Sequence, residues 1–353
     1  MRINLDRVDP KKVDPADMSG FLSRFSEYSL EALEDSESFA LPSYLIKCKK
    51  VLILGTGESG IVAQFIKDLC HDSSVFIDCS SNSDLPGWVD KDTLVIALSH
   101  SGNTDEVLQP FVLAFQKNAK LLAITSGGKL QSLCSKFRSP VITFHQLPES
   151  KLAFPYLFII PVIVLRKLGI VELSKEEFSQ AIDLVDAQIN KISLNIHTAV
   201  NPAKDLAIKI VDTEVIAVGS ANLESAANRF ASSASKNGKN ISFSCSFQEL
   251  GNSLISGLNF PRELLKKVSI VALESKYNRG EIKILQNITS QILLEKRLNY
   301  FRLDFPQSSS RFSEILLSVN FVDFVGLYLG ILNQANPMVS AEIDFIKTQI
   351  SKQ

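Results

Sequence analysis

Short runs of consecutive apolar residues alternate along this chain with stretches in which apolar residues recur every three or four positions. VLILG (51–55), TLVIAL (93–98), KLLAIT (120–125), EVIAVG (214–219) and VSIVALE (268–274) are continuous apolar runs of strand length. Such runs mark strands buried on both faces. SVFIDC (74–79), SPVITF (139–144), NISFSC (240–245) and NYFRL (299–303) read as further strands. Helical spacing covers 13–40, 61–70, 105–118, 154–168, 174–198, 223–236, about 280–297, 313–332 and about 339–351. Strands alternating with helices predict right-handed βαβ units, hence an α/β protein with two doubly wound, mostly parallel sheets flanked by helices. The amphipathic stretch between the two arrays sets the expected division: 1–172, a bridging helix and linker at 173–203, and 204–353.

Ligands of a doubly wound sheet sit beyond the carboxyl ends of its strands. Three glycine-rich loops fall there: GTGESG (55–60), SHSGNTDE (99–106) and TSGGKL (125–130). Gly57 and the helix that follows it offer backbone N–H groups and a positive helix end to an anion. Ser99, Ser101 and Thr104 supply hydroxyls, and Gly102 and Asn103 are expected to supply N–H groups, which together suit a phosphate. GTGESG also has the GxGxxG form of a dinucleotide loop, and Asp78 closes the next strand about twenty residues on. SHSGNT is what a dehydrogenase has no need of. Tight turns favour Gly, Ser and Asn in any case, but three such loops at one sheet edge point to a shared anionic ligand. In the second array GSANLES (219–225) keeps the strand-to-helix position with one glycine.

Composition narrows the partners. The chain has 353 residues and a formal net charge of −1, without the basic footprint that nucleic acid or an anionic membrane requires. Five cysteines without CxxC spacing and four histidines without an HxxxH pair argue against a metal site or a disulfide framework and fit a cytoplasmic protein. LFIIPVIVL (157–165) is too short to span a bilayer, and no other stretch is expected to do so. His100 alternates with the loop serines and is expected to pack, not to react. Arg229 fits either a structural role or a second-site contact.

The strand–SHSGNTDE pattern resembles the phosphosugar-binding loop of the sugar isomerase (SIS) domain. GTGESGI, TSGGKL, ESKLAFPYLF (149–158), FQELGNSLISG (247–257) and NFVDFVGLYLGILNQANPMVSAEIDFIK (320–347) follow in an order similar to the bifunctional phosphoglucose/phosphomannose isomerases. The resemblance implies two SIS subdomains, a homodimer with a shared interface site, and a sugar phosphate as ligand. It implies aldose–ketose isomerisation without metal or organic cofactor. An acid–base group opens the ring, a carboxylate moves a proton between C1 and C2, and a cation steadies the enediolate. By the same resemblance Ser59, Ser99, Ser101 and Thr104 form the phosphate cradle. Lys151 stands where the family has an arginine, and Lys347 matches its C-terminal lysine.

The proton-transfer positions depart from that pattern. The family's base glutamate aligns with Lys236 and its ring-opening histidine with Asn252. A lysine cannot replace a carboxylate base without a large fall in pKa, and an asparagine does not titrate. Glu58 stands where the family has glycine. Three expectations therefore coexist: Glu58 pairs with Lys236 in a protein that binds sugar phosphate without converting it; Glu58 is a relocated base with Lys236 or Lys151 as electrophile; or Glu58 faces solvent from the first turn of a helix. Glu249 is a further candidate to line the pocket.

Overall fold

The computed structural model describes residues 4–46 and 48–350. Two helices, α1 (Met18–Ser23) and α2 (Phe25–Ser38), occupy most of the stretch expected to be one helix over 13–40. Asp14 is the reason. Its carboxylate accepts the backbone N–H groups of Met18 (2.8 Å) and Ser19 (2.7 Å), which starts a new helix there. The chain divides into two compact units, Arg24–Ser179 and Met1–Ser23 together with Gln180–Gln353.

The unit Arg24–Ser179 holds five parallel strands: β1 (Lys50–Leu54), β2 (Phe76–Ser80), β3 (Thr93–Ser99), β4 (Lys120–Thr125) and β5 (Val141–Thr143). Their order is β2-β1-β3-β4-β5. The connecting helices are α3 (Glu58–Leu69), α4 (Asp105–Gln116), α5 (Gly128–Phe137) and α6 (Phe154–Lys167). Leu52, Leu54, Val95 and Ala97 pack against Val107 and Phe111 of α4 and Leu130 and Cys134 of α5. The alternate residues Val51, Ile53, Leu94 and Ile96 are equally buried on the other face, where α3 and α6 lie. Burial on both faces is why these strands read as continuous apolar runs. Helix α5 was hidden in the sequence because it opens within a glycine pair.

Helix α7 (Lys175–Ile192) spans the boundary between the units and ends six residues before the expected Thr198. Asn201 then starts α8 (Pro202–Ile210): its side chain accepts from the N–H groups of Ala203 (3.1 Å) and Lys204 (3.0 Å). The second unit's sheet has four parallel strands, β6 (Glu214–Gly219), β7 (Ser242–Ser246), β8 (Val268–Glu274) and β9 (Asn299–Asp304), in the order β7-β6-β8-β9. That repeats the connectivity of β1 to β4. Its main helices are α9 (Glu224–Lys236), α10 (Gly280–Glu295), α11 (Arg311–Leu332) and α12 (Ala341–Ile350).

Helix α11 corrects one expectation. Its 22 residues are long and apolar enough to cross a membrane by composition, yet 94% of its most apolar window is buried inside the protein. It packs against α9, α8 and α1. Its inward polar groups have partners: the Gln188 amide donates to the Leu317 carbonyl (2.9 Å) and to Asn320 Oδ1 (3.1 Å).

The sequence-based division grouped the first residues with the first array; Asp6 shows why they cluster with the other. Its carboxylate accepts from the Thr198 N–H (2.9 Å) and hydroxyl (2.8 Å) and from the Lys204 ammonium (3.1 Å), which is almost fully buried. Burial pushes the Asp6 carboxyl up, but these bonds outweigh it and hold it below the ordinary range. A depressed carboxyl stabilises above its unfolded pKa and loses that contribution as the pH falls through the folded one. Asp6→Ala is therefore expected to destabilise this unit by about 2 kcal/mol at neutral pH, in line with hydrogen bonds to charged groups. Urea unfolding at pH 7 and pH 3 checks it: the gap between variant and wild type should shrink in acid, and an equal gap at both values would contradict the account.

Candidate phosphate-binding site

Strands β1 and β3 are direct neighbours, with Leu54 beside Ala97. Their outgoing loops therefore start about 4.8 Å apart, at the point where the strand order reverses. Ser99 ends β3 and is 2% exposed. Its Oγ accepts from the Gly102 N–H (3.0 Å) and lies 3.4 Å from Thr104 Oγ1. Ser101 Oγ accepts from the Asn103 N–H (3.3 Å). The N–H groups of Gly102 and Asn103, expected to meet a ligand, are thus turned inward to shape the loop. A hydroxyl that accepts a bond keeps its own proton to donate. Ser99, Ser101 and Thr104 remain the donors on this loop.

The third glycine-rich loop has a different task from the one expected. Asn103 Oδ1 accepts from the Lys129 N–H (3.0 Å), and the Gly102 carbonyl from the Leu130 N–H (2.9 Å). The Ser126 hydroxyl (2.6 Å) and N–H (3.1 Å) both donate to the His100 carbonyl. The first turn of α5 therefore grips the 99–104 loop and braces it. Sequence reasoning passed over Ser126 and Thr125. The available signal was that β4 ends in a hydroxyl residue paired with Ser99 across the sheet.

Helices α3 and α4 begin at the open loops without a side-chain cap from their N-cap residues. The first bonds into them run from Ile61 N–H to the Gly57 carbonyl (3.1 Å), and from Val107 and Leu108 N–H to the Thr104 carbonyl (3.0 Å each). The N–H groups of Ser59, Gly60, Asp105 and Glu106 precede those bonds, in the first-turn positions with which helix starts bind anions. Ser59 is 6% exposed, on the first turn of α3. Lys151 is also 6% exposed and sits in the turn Ser150–Leu152, packed against α3. Glu58 is 7% exposed, which overturns the expectation that it faces solvent. His100 packs against Phe144, ring centres 6.1 Å apart, as expected. Asp78, on which a dinucleotide reading relies, forms an ion pair with Lys67 of α3 at 2.8 Å.

Comparison with known proteins places both halves of the chain among SIS-domain proteins. A SIS-domain model matches residues 44–158, and the model of the bacterial phospho-glucose isomerase C-terminal SIS domain matches residues 199–350. The bifunctional phosphoglucose/phosphomannose isomerase of Caldicellulosiruptor bescii is 30% identical over 310 residues, covering 86% of this chain and 90% of that protein. The chain belongs to the bifunctional phosphoglucose/phosphomannose isomerase family. The family member of Thermoplasma volcanium is 25% identical over 338 residues, covering 93% of this chain and all of that one. The crystal structure of a hypothetical protein from Thermus thermophilus shares the fold, with a TM-score of 0.74 at 15% identity over 97% of this chain and 91% of that one.

The two residues expected to stand in place of the family's proton-transfer groups lie in the second unit. Lys236 is the last residue of α9 and is half-buried. Asn252 is exposed, within a five-residue π-turn (Leu250–Leu254). Such wide turns recur at functional sites. Lys347 belongs to α12, and its side chain lies outside the described residues. Glu249 closes a capping box: its carboxylate accepts from the Ser246 N–H (2.8 Å) while its own N–H donates to Ser246 Oγ (3.1 Å). That is a structural task. Arg229 has one too, a two-pronged bond to Asp323.

Proposed function

We propose that the crevice formed by Gly57, Ser59, Ser99, Ser101 and Thr104, with Lys151, binds the phosphate of a hexose phosphate such as glucose-, mannose- or fructose-6-phosphate. The protein acts as a homodimeric, cytoplasmic member of the family with strongly reduced isomerase chemistry. The observation that supports binding is the pair of open, uncapped helix starts beside three hydroxyls held in place by α5. The observation that supports reduced chemistry is the pair Lys236 and Asn252 at the family's base and ring-opening positions. Losing a general acid–base group lowers a rate by roughly 10²–10⁴-fold, and here two have gone. A second reading, a sensor that binds sugar phosphate without converting it, is favoured by the same two residues.

Glu58, buried in the first turn of α3 next to Gly57 and Ser59, carries a carboxylate that could take over a proton transfer. Proton exchange at C2, followed by NMR in heavy water with each sugar phosphate in turn, separates the readings. The expected result is binding with exchange only slightly above that of a Ser101→Ala control; binding with exchange no faster than the control would favour the sensor. Exchange well above the control that disappears in Glu58→Gln would establish a relocated base and overturn the reduced-chemistry reading. Absence of binding by wild type would sink the site itself.

A further inference from the structure

The second sheet has the same switch point as the first, between β6 and β8, and the same local turn leads away from it. A Cβ on Gly55 would come within 2.6 Å of the Ser59 carbonyl oxygen, and one on Gly219 within 2.2 Å of the Leu223 carbonyl oxygen. Both turns bring strand and helix backbones together four residues on. The loop ESKYNRGE (274–281) leaves β8 where SHSGNTDE leaves β3. In the first unit these two loops leave hydroxyls and helix starts open. In the second they converge on a carboxylate. Ser275 Oγ donates to Glu314 Oε2 at 2.6 Å, the Lys276 N–H donates to Oε1 at 3.1 Å, and the Asn222 amide donates to Oε2. Glu314 is fully buried in the first turn of α11, beside that helix's positive end.

We propose that Glu314 is a built-in anion that fills the second unit's ligand crevice, so that each chain keeps one open sugar-phosphate crevice and one closed from within. Three donors, one from the β6 loop and two from the β8 loop, surround a negative charge at the switch point. That is the arrangement an incoming anion would otherwise complete. The loss of glycines from GSANLES follows from it, since no ligand has to approach that backbone. The proposal does not depend on which sugar the first unit binds or on whether it is converted.

If Glu314 stands in for an anion, deleting its carboxylate creates a vacant anion site. Two variants test this by thermal melting of the full chain in phosphate-free chloride buffer, before and after adding sodium acetate or formate. Glu314→Ala and Glu314→Gln should both melt roughly 5–10 °C below wild type, because buried donors lose a charged acceptor. Acetate or formate should restore at least half of the loss in Glu314→Ala, where the side chain has left space. It should do little for Glu314→Gln, whose amide fills the crevice, or for wild type. Unchanged melting of Glu314→Gln, which is isosteric and should fold, would overturn the proposal. So would equal stabilisation of all three proteins by acetate.

Discussion

Gly102→Ala is expected to weaken hexose-phosphate affinity by at least roughly 100-fold, because strain and clash of a few kcal/mol in the ligand loop convert to affinity at 1.4 kcal/mol per decade. Gly102 has φ +67°, and a Cβ there would lie 1.8 Å from the Gly127 carbonyl oxygen. That contact is impossible, and the neighbour is backbone, which cannot swing away. The loop must therefore part from α5. With it go the bonds from Lys129 and Leu130 that fix Asn103 and Gly102, and then the orientation of Ser99, Ser101 and Thr104. Gly87→Ala is the control, since its added methyl meets nothing within 4 Å. Titration calorimetry with glucose-6-phosphate measures the effect, and circular dichroism establishes that the sheet is intact. A Gly102→Ala protein that binds within threefold of wild type would show that the brace is dispensable.

The fold was legible where burial is symmetrical. KLLAIT, EVIAVG and VSIVALE coincide with β4, β6 and β8 because central parallel strands are apolar at most positions on both faces and end sharply. Edge strands were less so: SVFIDC begins two residues before β2, and NISFSC two before β7, because one side of each meets solvent and admits polar residues. Helices α5 and α8 were missed for opposite reasons. One starts among glycines, and the other starts at a proline following an asparagine cap, a signal that is visible once the long amphipathic stretch is allowed to end at Ile192.

At the site, residue type announced the ligand class but not the division of labour. Hydroxyls after β3 could be read as a phosphate cradle, because few other structures need three of them on six residues. Which N–H groups face outward could not be read, since Gly102 and Asn103 turn inward through side-chain bonds that depend on loop shape. The burial of Glu58 was equally hidden: a first-turn acid is common at helix starts, and only the surrounding chain removes it from solvent. The same holds for Glu314, an ordinary acid in the sequence whose three donors come from residues 38 to 92 positions away.

Distant pairing also underlies the largest stability effect expected. Arg229 of α9 donates through Nε to Asp323 Oδ1 (2.9 Å) and through a terminal nitrogen to Oδ2 (2.7 Å), with both side chains about 2–3% exposed. Asp323 belongs to α11, a strongly apolar helix, so the pair is a charged contact inside an apolar layer. A buried guanidinium that loses its two-pronged carboxylate keeps its desolvation penalty. Asp323→Ala should therefore destabilise its unit by roughly 3–5 kcal/mol, against about 0–1 for an exposed pair. The melting transition of that unit would fall by about 10 °C. Asp323→Asn, which keeps the shape and one acceptor, should lose less. Replacing Arg229 and Asp323 together by methionine and leucine should recover much of the deficit, since an apolar pair of similar volume removes the stranded charge. If Asp323→Ala instead melts with the wild type, the pair is not holding α9 to α11, and apolar packing between those helices carries the contact alone.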